Sequence, residues 1–223
     1  MSTGDRTRSL VVRALVVAIA VPVGVLVHQW QADSSSVEPP AAVPALSATG
    51  AESDPPTIAD PPRGDDVARL DGLGPDDGVV ADGVTVFEED IPAVARLDPA
   101  LLDALRRAAT HAATGAIEMV VNSGWRSPGY QEWLLDEAVS RYGSREEAAR
   151  WVATPETSAH VSGDAIDIGP PSAATWLSRH GTAYGLCQIY RNEPWHFELR
   201  PEATDHGCPT MYADPTHDPR VQQ

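Results

Sequence analysis

The sequence predicts one globular domain of mixed helices and short strands, carried behind a long amino-terminal appendage. Three observations lead there. At 223 residues, with 42% hydrophobic residues and six Trp, the chain is too apolar for wholesale disorder and long enough for one ordinary domain. Helix starts with a capping oxygen followed by Pro, at Asp98-Pro99 and Ser127-Pro128, alternate with apolar runs too short to be helices. Near the carboxy terminus Gln188–Tyr190 and Trp195–Leu199 flank Arg191–Pro194 as a hairpin would.

Residues 1–30 read as an export segment. Arg6, Arg8 and Arg13 precede the apolar run Ala14–Val27, which with Leu10–Val12 is just long enough to span a bilayer if Arg13 snorkels. His28-Gln29-Trp30-Gln31 follows where a signal peptidase would need small residues, so an uncleaved membrane anchor is favoured over a cleaved signal and secretion. Either way the remainder is extracytoplasmic. Residues 31–64 are rich in Pro, Ala and Ser and read as an extended linker, residues 65–213 as the domain, and residues 214–223 as a flexible tail. The formal charge is −16, and residues 1–27 carry three Arg and one Asp, so the rest is more acidic still; nucleic acid is excluded as a partner.

Within the domain, Asp76-Asp77-Gly78 and Asp82-Gly83 read as turns and Val84–Phe87 as a short strand. Asp98-Pro99 opens a helix whose buried face is Leu101, Leu102, Leu105 and Ala109. Ile117–Val121 is a buried strand running into Ser123-Gly124-Trp125-Arg126-Ser127, where the next helix starts and continues to about Tyr142. A third helix starts at Ser144, with Glu147 completing a capping box, and ends before Pro155. A loop then delivers His160, Ala165–Ile168 forms a strand stopped by Pro170-Pro171, and Ser172 caps a short helix ending at His180-Gly181.

The chemistry concentrates late in the chain. Catalytic zinc takes three protein ligands and leaves one position open, and His160, Asp167 and His196 supply two imidazoles and a carboxylate at spacings that suit it. Glu193, three residues before His196, stands where a general base is wanted, and Arg126 at a strand-to-helix corner offers a two-pronged donor to a carboxyl group or oxyanion. His28, His111, His180 and His217 lack such partners. Cys187 and Cys208 are the only cysteines; beyond an export segment they read as a disulfide, with a second metal site including His206 as the alternative.

The string Ser158-x-His160-x-x-Gly163-x-Ala165-x-Asp167, with Glu193-Pro194-Trp195-His196 downstream and Ser123-Gly124-Trp125-Arg126-Ser127 plus Gln131 upstream, resembles the zinc D-Ala-D-Ala carboxypeptidases of the VanY type. The likeness runs from about Val84 to Pro209, and it departs at Trp125, where Tyr is usual. The resemblance implies an α+β domain of the hedgehog/DD-peptidase kind, in which a small antiparallel sheet carries a single zinc. It implies hydrolysis of the terminal D-Ala of peptidoglycan stem peptides by a metallopeptidase. His160, Asp167 and His196 would hold the metal, Glu193 would act as base, Arg126 would meet a carboxyl group, and Gln131 and Ser158 would contact substrate. A monomer is expected. Two other functions fit the same residues: an endopeptidase cutting an L-Ala–D-Glu or cross-link bond, and a catalytically silent zinc-stabilised binding module. Glu193 argues against the second, because a binding module needs no base.

Overall fold

The computed structural model describes residues 72–221, so the expected anchor, the expected linker and the first residues assigned to the domain lie outside the described residues. Among those described, no helix is long and apolar enough to cross a membrane. The first turn is a 3-10 segment at Pro75–Asp77 closed by Gly78 in the left-handed region, φ 93°. A Cβ on Gly78 would lie 2.1 Å from the Trp125 carbonyl oxygen, so glycine is required for this turn to lie against the Trp125–Ser127 corner. Ser127 ties the two together, its N–H donating to the Asp77 carbonyl at 2.8 Å and its hydroxyl to Asp77 Oδ1 at 2.9 Å.

Val84–Phe87 is not a strand. Val84 and Val86 are buried as the alternation requires, but the Glu88 carboxylate accepts from the N–H and hydroxyl of Thr85 and folds the segment into a turn. A one-turn helix, α1 (Pro92–Ala95), leads into α2 (Pro99–Thr114), where Asp98 accepts from the N–H groups of Ala100 and Leu101. Such a cap is worth about 1 kcal/mol. The buried face of α2 is Leu101, Ala104, Leu105, Ala108, Ala109 and Ala112, while Leu102 is only half-buried.

β1 (Val120–Ser123) starts three residues later than the apolar run suggests, because Ile117 N–H still closes the end of α2 by donating to Ala112. Ser127 caps α3 (Pro128–Tyr142), which Gly143 ends in the left-handed region. α4 (Arg145–Ala148) is a single turn rather than a helix reaching Pro155: the Ser144 hydroxyl caps it, but the Glu147 carboxylate pairs with Arg150 instead of returning to the cap. His160 arrives not on a loop but on a one-turn helix, α5 (Ala159–Ser162). β2 (Ala165–Gly169) follows, then α6 (Pro171–His180), capped at Pro170 and not Ser172.

β3 (Leu186–Gln188) and β4 (His196–Leu199) form the expected hairpin, with Leu186 opposite Leu199 and Gln188 opposite Phe197. Ile189 and Tyr190 leave it, because Tyr212 donates to the Ile189 carbonyl and bridges Tyr190. A short α7 (Ala203–His206) precedes the Cys187–Cys208 disulfide.

The four strands form one antiparallel sheet in the order β1-β2-β4-β3. Strand periodicity then sorts the side chains. Ile166, Ile168 and Phe197 enter the main core with Leu101, Leu105 and Leu177 of α2 and α6. Burying a side chain such as Phe197 contributes about 1.5–3 kcal/mol. Asp167, His196 and Glu198 belong to the alternate positions and so share the opposite face.

The expected flexible tail is packed over Asp214–Val221. Asp214 and Asp218 are buried, a 3-10 turn spans Pro215–His217, and Arg150 and Tyr190 donate to Asp214 and Asp218 respectively. Buried carboxylates with donors from the domain body anchor what composition alone marks as frayed.

Candidate active site and metal centre

Three elements deliver three side chains to one point. Asp167 and His196 are direct partners in the β2–β4 register, and Gly163 turns the chain from α5 into β2 at φ 82°. A Cβ there would strike the Arg96 carbonyl oxygen at 2.5 Å, so the glycine expected from sequence is sterically required. His160 Nε2 lies 3.3 Å from His196 Nδ1 and 3.5 Å from Asp167 Oδ1, and His196 Nδ1 lies 3.3 Å from the same oxygen. All three residues are buried, and their inward atoms lie within 4.8 Å of one another.

The outward atom of each is held. His160 Nδ1–H donates to the Gly124 carbonyl at 2.8 Å, leaving Nε2 with its lone pair inward. His196 Nε2 pairs with Glu198 Oε1 at 3.3 Å, which directs Nδ1 inward. Asp167 Oδ2 accepts from the Arg126 guanidinium at 3.0 Å, while Oδ1 is buried with no hydrogen-bond partner. A buried, unpartnered carboxylate oxygen costs several kcal/mol unless a cation satisfies it. Two imidazole nitrogens and one carboxylate oxygen, each oriented from behind, form a donor set that fits zinc.

Electrostatics follow the same geometry. Burial disfavours a charge on His160, and Arg126 adds to it, so this imidazole titrates below its usual value. Burial also opposes charge on His196, but the neighbouring Asp167 and Glu198 carboxylates outweigh it and raise the group to about 10. Asp167 pays for burial too, yet His160, His196 and Arg126 hold it far below the carboxylate range. Burial pushes Glu193 up to about 8, with the Asp167 charge adding to the effect. Its Oε2 lies 3.7 Å from His196 Nδ1 and its Oε1 is buried and unpartnered, beside the ligand cluster.

Arg126 does more than face a ligand. Its Nε donates to Ser123 Oγ at 2.7 Å, one terminal nitrogen to Gln131 Oε1 at 3.2 Å and the other to Asp167. Gln131 in turn donates to the Ala153 carbonyl at 2.8 Å and is 1% exposed, so it braces Arg126. Both residues line the cavity over the cluster, and Arg126 keeps N–H groups beyond these three bonds. Ser158 sits at the cap of α5, yet its hydroxyl does not cap the helix and is left to the cavity it lines. The cavity runs on past Trp133, Tyr142, Trp151 and Val152, an apolar extension suited to more than one residue of a peptide. Trp125 is not on this wall; the Arg96 guanidinium lies 4.2 Å over its ring.

Sequence reasoning brings together His160, Asp167, His196, Glu193, Arg126, Gln131 and Ser158, and the structure gathers all seven around one cavity. It misses Glu198 and Tyr190. Glu198 had a signal: two residues beyond His196 on a strand, it must share a face with it. Tyr190, whose ring lies 5.1 Å from that of His196, had none.

A family model described as VanY, D-alanyl-D-alanine carboxypeptidase, matches residues 94–202. A D-alanyl-D-alanine carboxypeptidase of Enterococcus faecalis (strain ATCC 700802 / V583) is 30% identical over a match covering 35% of this chain and 38% of that protein. The chain thus spans less than half the length of this relative. Among solved structures, a vancomycin-resistance D,D-pentapeptidase VanY variant in complex with Zn(II) is 26% identical, covers 46% of this chain and 72% of its own, and superposes with a TM-score of 0.44. The LD-carboxypeptidase LdcB is 27% identical, covers 59% and 72%, and gives a TM-score of 0.46.

Proposed function

We propose that this chain, whose residues 94–202 match the VanY D-alanyl-D-alanine carboxypeptidase family model, is a zinc peptidase removing the terminal D-Ala from peptidoglycan stem peptides. The observation that carries the reading is the cluster of His160, Asp167 and His196, with the Glu193 carboxylate beside it, its Oε1 buried and unpartnered. The same residue set without a base would serve structure alone.

His160, Asp167 and His196 would hold one zinc, which polarises a carbonyl and lowers the pKa of water to about 7. Glu193 accepts the proton of the attacking water and returns it to the leaving amine. Burial raises Glu193 to about 8, and positive charge held by the neighbouring ligands would lower it again and leave the carboxylate free to take a proton. Arg126, with the N–H groups it has left, meets the carboxyl group at the substrate's end or the oxyanion formed at the scissile carbonyl. Ser158 contributes a hydroxyl to the peptide, Gln131 holds Arg126 in place, and the aromatic extension takes the preceding residues.

The Cys187–Cys208 disulfide supports work in an oxidising compartment outside the cytoplasm. With it goes the proposal of a monomer tethered through residues 1–30. Incubating the purified protein with a stem pentapeptide, with zinc or with a chelator, tests the reading. Free D-Ala released only in the presence of metal supports it; a released dipeptide or larger fragment makes the enzyme an endopeptidase, and no cleavage makes the centre a binding module.

A further inference from the structure

His196 is held from behind by Glu198, and Glu198 is held in turn by a residue beyond the matched stretch 94–202. Glu198, its partner at Nε2, has a side chain 1% exposed and would be an uncompensated buried charge without cations of its own. Two arginines supply them. Arg200 pairs with Oε2, whereas Arg220 reaches both oxygens, at 2.7 Å to Oε2 and 3.3 Å to Oε1. The two-pronged contact fixes the plane of the carboxylate, and that plane decides whether Oε1 points at His196.

Arg220 is itself fixed. Its backbone N–H and Nε donate to Asp218 Oδ1 at 2.9 and 3.0 Å, its second terminal nitrogen pairs with Oδ2, and the Tyr190 hydroxyl donates to Oδ2 at 3.0 Å. Asp218 is fully buried, and the Tyr190 ring packs on His196. The bland alternative is a surface ion pair, worth about 0–1 kcal/mol. It does not suit a guanidinium whose two carboxylate partners are both buried.

We propose that Arg220 is a positioning residue: through Glu198 it sets the orientation and tautomer of His196, which makes the carboxy-terminal segment 214–221 part of the metal centre. This rests on reading His160, Asp167 and His196 as zinc ligands. Removing Arg220 frees Glu198 to turn towards Arg200, and His196 loses the acceptor that keeps its proton on Nε2. Outer partners of metal ligands typically change affinity about 10–100-fold.

The test is zinc affinity, by competition with a chromogenic chelator, on the full chain and on Arg220→Met, Arg220→Lys, Glu198→Gln and the Arg220→Met/Glu198→Gln pair. Circular dichroism without metal checks the fold. Loss of about 10-fold or more in Arg220→Met, a smaller loss in Arg220→Lys, and a double variant no weaker than Glu198→Gln are expected. Wild-type affinity in Arg220→Met, or losses that add in the double variant, overturn the proposal. If Arg220→Met does not fold, Arg220→Lys decides, since wild-type affinity there overturns the two-pronged contact. His160→Ala separates the premise: if it keeps full affinity, the ligand reading fails whatever Arg220 does.

Discussion

Asp167 and His196 are cross-strand partners, and their side chains meet with Oδ1 3.3 Å from Nδ1 on the sheet face opposite the core. Two of the three candidate ligands are therefore placed by strand register, the most strongly specified feature of a sheet with one buried face. A one-residue slip of either strand would turn its ligand into the core and its apolar neighbour, Ile166 or Phe197, out of it. The fold thus guards the metal centre with the same pattern that guards its own stability.

Replacing His196 by Ala should lower zinc affinity by more than the roughly 10–100-fold typical of an outer partner, and abolish turnover, while leaving the helices intact. Metal content after dialysis, with circular dichroism as control, measures this. Full zinc content in His196→Ala removes it from the ligand set.

Glu193→Gln should retain zinc and lose about 100- to 10,000-fold in kcat, because the carboxylate acts on water without holding the metal. The amide keeps the shape of a buried side chain beside His196. Near-normal kcat, or loss of zinc, contradicts the role of base.

Arg126→Lys should impair both metal and substrate. One ammonium cannot reproduce three directed bonds to Ser123, Gln131 and Asp167, so Asp167 loses its outer partner as the cavity loses a planar donor. A raised KM with unchanged zinc affinity would show that Arg126 serves substrate alone. Lost zinc affinity with unchanged KM would make it wholly a brace.

Much of this site is legible in the chain because its parts are short-range. His160 to Asp167 and Glu193 to His196 are local spacings, and Asp98 and Ser127 announce their helices by the capping oxygen before a Pro. What the sequence hides depends on side chains choosing between partners. Glu147 pairs with Arg150 instead of closing a capping box, and Glu88 folds back on Thr85 and cancels a strand. Arg220 is further out of reach, since nothing in a polar terminal stretch says that two buried carboxylates await it.

Zinc binding should release protons. His196, held to about 10 between Asp167 and Glu198, is cationic at pH 7 and must lose a proton before its nitrogen can bind metal; His160, shifted down, is already neutral. A group whose pKa lies above the working pH competes with metal more strongly as pH falls, so apparent affinity should rise at least about tenfold per unit between pH 6 and 8, and more steeply where Glu193 also gives up its proton. Calorimetry in buffers of different ionisation enthalpy counts the protons. No release at pH 7 would mean that His196 enters the site neutral.

Reducing the disulfide should weaken zinc retention before the helices melt. Cys187 stands opposite Glu198 in the β3–β4 register, so the bridge to Cys208 secures the strand beside the residue that orients His196. Its loop also contains Glu193 and β4. Closing a loop of this size stabilises by about 3 kcal/mol in the chain-entropy account, and here that constraint falls on the base, the third ligand and its partner together. The core of α2 and α6 against Ile166, Ile168 and Phe197 contains neither cysteine. Zinc affinity and helical ellipticity, followed in parallel against reductant, should separate, with affinity falling first; coincident loss would mean that the bridge holds the whole domain and not the site.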